Sequence, residues 1–169
     1  RSHTGVYLCL EGEFTHWPMT GVSKKQDCVS HSTPEAEIVA AAFAIRREGL
    51  PSLYLWECIL GRPASDGTAN ATGPPLYVIF HEDNKTMIRV CETGRNPTMR
   101  HLGRTHHVQV SWLKERFASD DLKLAYTPSA KQRADVFTKG SDSLVRWSHA
   151  CKSRRISRNK WMARTLQRS

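Results

Sequence analysis

The 169-residue chain lacks any apolar run of 18 residues, the length a membrane-spanning helix needs, so no membrane span is expected. It lacks the charged, then apolar, then small-residue opening of a secretory signal. It begins at Arg1 rather than Met, so a processed or shortened amino end is expected. Cysteine is scattered: Cys9, Cys28, Cys58, Cys91 and Cys151 are odd in number and make no C-x-x-C pair. That excludes a zinc ribbon and a disulfide framework, and it fits a reducing, intracellular compartment, cytoplasmic or nuclear. Without a secretory signal, Asn70-Ala71-Thr72 and Asn84-Lys85-Thr86 are chance matches to the glycosylation pattern. Aromatic residues are few at 8%, and the apolar fraction of 39% is enough for one core, so one domain with an appendage is expected.

Acids are nearly missing from residues 141–169, where eight basic residues face only Asp142. Seven of the nine net positive charges therefore sit in that tail, and the body carries two. A cationic tail on a near-neutral body points to a polyanion, most often nucleic acid, or to burial in a larger assembly.

The patterning of the body alternates strands and helices. Residues 6–10 and 14–22 read as strands, the second interrupted by Pro18 and Gly21 as an edge or bulge would be, with residues 23–27 as a basic link. Residues 33–48 read as a helix. Ser32 or Thr33 can cap it, Pro34 suits its first turn, and Ile38, Ala41, Ala42 and Ile45 form one apolar stripe. Gly49-Leu50-Pro51 is expected to interrupt it, with Ser52 capping a second piece. The loop-like stretch 61–75 leads to the apolar run 76–80, which reads as a buried central strand. Helices are expected at residues 85–92, closed by Gly94, and at 105–118, then a strand at 122–126 and a last helix at 133–138. This order is that of an α/β fold with a mixed sheet.

Three acids stand at telling places in that pattern. Glu37 lies near the front of the first helix and has no local capping role, unlike Glu35. Asp83 follows the carboxyl end of the apolar strand, where open α/β sheets place their ligands. Asp135 opens the last helix. Acids that converge repel one another, and a divalent cation is the usual reason for tolerating that.

Six short blocks carry a resemblance: Ser2-His3-Thr4-Gly5; Ser23-Lys24-Lys25-Gln26; Ser32-Thr33 with Glu35-Ala36-Glu37; Glu82-Asp83-Asn84; Arg104-Thr105 with His107; and Ala134-Asp135 with Thr138-Lys139. In order and spacing they resemble the ribonuclease H domain of copia-type retrotransposon polyproteins, over residues 1–140. The resemblance implies a ribonuclease H-like mixed sheet of five strands with flanking helices, followed by a basic tail at 141–169. It implies cleavage of the RNA strand of RNA–DNA hybrids by carboxylates holding two Mg2+ or Mn2+ ions, one activating water and one stabilising the leaving oxygen. Glu37, Asp83 and Asp135 match three of the family's four acids, as catalytic and metal-binding residues. The family's first acid lies on a strand ahead of the first block, so that strand and its acid are expected to be missing here, leaving an unpaired edge. Gln109 stands where the family has an aspartate, and His81-Glu82 precedes Asp83 where one residue is commoner, so a bulge is expected there.

Lys24, Lys25, Arg104 and His107 are the candidate nucleic-acid contacts, with Arg95 and Arg100 on the same phosphate track or on a solvated face. Trp17, Trp56 and Trp112 read as core or lid residues, while Trp147 and Trp161 can stack on bases or pack on a partner. The alternative to a nuclease is a decayed or domesticated copy that binds nucleic acid or serves a larger assembly through its tail.

Overall fold

Strand β1 (His3–Glu11) turns back on β2 (His16–Lys25) to form an antiparallel hairpin. This is a computed structural model of the protein; it describes residues 2–27, 30, 32–61, 76–95 and 104–138, and only the backbone at 104–108. The expected loop at 62–75, the basic connection at 96–103 and the tail at 141–169 lie outside the described residues. Leu8 pairs with Thr20 and Cys9 with Pro18, so Met19 is the extra residue of a bulge. Proline lacks the ladder N–H and is tolerated at such a place. The second strand runs on through Lys25, so residues 23–25 are strand and not the expected link.

The hairpin leads to α1 (Thr33–Ala44), capped by Ser32, whose side chain accepts from the Glu35 N–H at 3.4 Å. The expected break at Gly49-Leu50-Pro51 does not occur. A π-helical turn at Ile45–Gly49 passes directly into α2 (Leu50–Leu60), with the Leu50 N–H bonded to the Ile45 carbonyl. The wider π turn gives the proline ring room that an α-helix interior denies it. Ser52 therefore lies inside α2 and caps nothing; its hydroxyl reaches Met19 Sδ at 3.4 Å, tying α2 to the hairpin bulge.

Strand β3 (Val78–Glu82) pairs in parallel with β4 (Leu122–Tyr126), the crossover between them containing α3 (Lys85–Thr93) and α4 (Arg104–Phe117). Asn84 caps α3, accepting from the N–H groups of Thr86 and Met87 at 3.0 and 3.1 Å, and Gly94 ends it at φ 69°. Asn84→Ala is expected to lower stability by about 1 kcal/mol, measured by urea unfolding, because two helix-start donors lose their acceptor. A turn at Ser129–Lys131 and a closing 3-10 helix at Arg133–Phe137 follow β4.

The core lies between α1, α3, α4 and β4, where Ile38, Ile45, Met87, Cys91, Leu113 and Leu122 are essentially sealed from water. Val78, Phe80 and Leu124 back onto it from the strand faces. The other face of β3 is open: Tyr77 and Ile79 are 39% and 43% exposed, so β3 is not the two-sided buried strand expected. Among the described residues it has one strand neighbour and helices on one face only. Trp17 is 67% exposed and belongs to no core. The bulge expected before Asp83 is absent, since β3 keeps its register with β4 through Glu82.

The fold is thus α/β, but its four described strands form two separate two-stranded sheets rather than one mixed sheet. Helix α1 packs on β1 and on α3 and α4, joining the two halves from one side. Residues 132–138 join them from another. Gln132 Nε2 donates to the His81 carbonyl of β3 at 2.9 Å, while Arg133 and Phe137 hold the hairpin.

Candidate functional site

Alternation along β1 decides what docks where. Thr4 and Val6 are buried and share the strand face opposite to that of Gly5 and Tyr7. Thr4 is tied to α1 through Gln26. The Gln26 Nε2 donates to Thr4 Oγ1 at 3.1 Å and to the Ala36 carbonyl at 2.9 Å, and its backbone N–H donates to the Ser2 carbonyl at 2.9 Å. Ala36 is the residue before Glu37, so the helix front that carries this acid is fastened to the hairpin.

The closing 3-10 helix lies against the Gly5 face. A Cβ on Gly5 would stand 2.6 Å from Thr138 Cγ2 and 2.7 Å from the Ala134 carbonyl oxygen. On Gly21 it would stand 2.4 Å from the Phe137 ring. The two glycines leave the space into which the segment bearing Asp135 settles. Ser23 Oγ donates to the Phe137 carbonyl at 2.5 Å and fixes its far end.

Its near end is held by Arg133. That guanidinium lies 3.3 Å from Glu11, 3.1 Å from His16 Nε2 and 3.8 Å from Cys9 Sγ. His16 Nδ1 is 3.1 Å from Glu11, so the ring donates there and accepts from Arg133 at Nε2. Cys9, Glu11 and His16 are, among the described residues, the one set of three potential metal ligands within 4.8 Å of one another. Arg133 already supplies the positive charge, and burial, with Glu11 adding to it, pushes the Cys9 thiol up to about 11. The cluster is a latch for the last segment, with the arginine already bonded to the Cys9, Glu11 and His16 atoms.

The carboxyl end of β3 carries the acids. Glu82, its last residue, is 4% exposed and accepts from the Asn84 N–H at 2.9 Å. Burial raises its carboxyl to about 7; the Asn84 N–H opposes the shift, and the charges of Glu37 and Asp83 add to it. Cys91 of α3 is pushed up to about 12 by burial, with Glu82 adding to it. Acid groups from α1 and from the β3 end therefore act on one another. Among the described residues, no basic side chain figures among the groups acting on Glu82. Asp135 lies on another segment, the one that Gln132 ties to β3 and Gly5 admits to β1.

Carboxylate oxygens are the donors that Mg2+ and Mn2+ prefer. Glu37, Asp83 and Asp135 do not close a cage of three within 4.8 Å. Mg2+ does not require one, because it is commonly bound through one or two carboxylates, with waters and substrate phosphates completing its shell. Beside Glu37 lies an open cleft of about 420 Å³ lined by Ser2, His3, Ser30, Ser32, Thr33 and Ala36.

Of the candidate phosphate contacts, Lys24 pairs with Asp27 at 3.0 Å and lies 5.3 Å from the Phe43 ring. Exposed pairs of this kind contribute little and exchange readily for a phosphate. Lys25 is exposed at the end of β2. Arg104 opens α4 and His107 lies in its first turn, but their side chains, like Arg100, are outside the described residues. Gln109 places its Oε1 in the interior without a hydrogen-bond partner.

Glu82 and Gln26 stood in the blocks that carry the resemblance but were given no site role there. Glu82 had a signal, since Val78 and Phe80 face the core and period two puts Glu82 on the same side. Gln26 had none, because its three bonds span the chain from residue 2 to residue 36. Comparison of the chain with protein-family models, with curated proteins and with solved structures gives no match.

Proposed function

We propose that this chain is a ribonuclease H-like module of retroelement origin, which holds Mg2+ or Mn2+ at Glu37, Asp83 and Asp135 and acts on RNA–DNA hybrids. The observation that supports this reading is that Glu82 is buried at the β3 end and that the charges of Glu37 and Asp83 both bear on its carboxyl. A divalent cation is the partner that such an arrangement favours. When bound, the metal supplies an activated water and stabilises the leaving oxygen. Glu37, at the α1 front, and Asp83, just after the β3 end, would hold it, with Asp135 as a third carboxylate. The hydroxyls of Ser2, Ser30, Ser32 and Thr33 line the cleft beside Glu37 and suit a ribose 2′-hydroxyl, the group that distinguishes RNA. Lys24, Lys25, Arg104 and His107 take the phosphates. The two strand pairs also support the reading, because one further strand between β1 and β3 would join them into a mixed sheet of five.

The deciding experiment is cleavage by a protein extended upstream through that further strand. With Mg2+ present, cutting of the RNA strand of a hybrid and sparing of duplex DNA are expected. No cleavage of the hybrid overturns the nuclease reading. A second reading, a non-catalytic nucleic-acid-binding or structural subunit, is favoured by the seven net positive charges of residues 141–169. It predicts hybrid and duplex binding of equal strength, with a salt dependence that flattens when residues 141–169 are removed.

A further inference from the structure

From the hydrogen bonds at the hairpin end we infer that Gln26 is a positioning residue for Glu37, setting the place of the α1 front turn through its carboxamide; the inference rests on the metal-site reading above. Gln26 is 4% exposed. Its carboxamide uses both donors on Thr4 Oγ1 and the Ala36 carbonyl, and its Oε1 accepts from Ser30 Oγ at 3.3 Å. One side chain thus joins β1, the approach to α1 and the first turn of α1.

The geometry gives Gln26 a role that packing alone does not. The first turn of a helix has no intrahelical partners for its leading N–H groups and frays first. Here Ser32 holds the turn at its start, while Gln26 grips a carbonyl inside it, one residue before the acid. An apolar side chain of similar size fills the same space but cannot hold that carbonyl. Thr4 and Ala36 are thereby kept at a fixed separation, and Glu37 is presented beside the cleft that begins at Ser2 and His3.

The test compares Gln26→Leu with wild type and with Val110→Ala. The last thins the core on α4 and lowers stability without touching the tie. Amide exchange at Ala36, Glu37 and Ile38, measured without metal, is expected to quicken about tenfold in Gln26→Leu and to stay at the wild-type rate in Val110→Ala. Mn2+ affinity, measured by calorimetry, is expected to fall about tenfold or more in Gln26→Leu, as when a residue orienting a ligand is lost, and to hold in Val110→Ala. Unchanged exchange at these amides overturns the inference. So does quickened exchange with undiminished Mn2+ affinity, which would make Gln26 structural only. If the wild type binds no Mn2+ while the exchange still quickens, the positioning stands and the metal-site reading fails.

Discussion

Glu82→Gln is expected to match the wild type in stability near pH 4.5 and to exceed it by roughly 3 kcal/mol at about pH 8. The sign follows from where the proton sits. In the unfolded chain this carboxyl ionises near 4.5; in the fold, burial holds it protonated to about 7, with Glu37 and Asp83 adding to the effect. Between those values the native state binds more protons than the unfolded state, so the stability this group contributes falls as pH rises. The contribution is whole below about 4.5 and gone above about 7. A glutamine resembles the protonated acid and cannot ionise, so its curve lacks that fall. Urea unfolding of both proteins between these limits reads the difference directly. Mg2+ in the high-pH samples is expected to recover the wild type more than Glu82→Gln, because the cation offsets charge that only the wild type develops. Parallel curves for the two proteins would show that Glu82 is not held in the environment described.

Gly5→Ala is expected to destabilise by about 1–3 kcal/mol, against the usual trend for a strand, where alanine is the better residue. The added methyl would lie 2.7 Å from a backbone carbonyl oxygen at Ala134 and 2.6 Å from Thr138. A backbone atom cannot swing aside as a side-chain tip can. The closing 3-10 helix must therefore lift from the hairpin, taking Asp135 with it, although Arg133 remains able to hold Glu11. Hydrogen exchange at residues 133–138 should quicken while the α3 and α4 core stays protected. Gly21→Ala serves as the milder comparison, since the atoms in its way belong to the Phe137 ring, which can turn. A Gly5→Ala protein as stable as wild type would show that the 3-10 helix does not rest on this strand.

Much of the local structure was legible in the residues. The strand at Leu122–Tyr126, the Ser32 cap and the Gly94 stop each follow from short-range chemistry: alternation, an N-cap oxygen and a glycine at positive φ. Glu37, Asp83 and Asp135 were picked out by their positions relative to helix starts and a strand end. The errors lay where neighbours in space decide. Pro51 reads as a break, but the π turn absorbs it. Residues 76–80 read as a two-sided buried strand, yet among the described residues only one face meets helices. Trp17 reads as core because it is large and apolar, and it stands exposed beside the turn of the hairpin.

The sequence by itself determined the elements, the charge of the tail and the three acids, because helix and strand periods, caps and composition act within a few residues. The tertiary structure alone decided that Gly5 admits the last segment, that Gln26 fastens β1 to α1, and that the charge of Glu37 bears on Glu82. Each of these is an interaction between residues far apart along the chain, and only the packing of one element against another sets which side chains lose water and which find a partner.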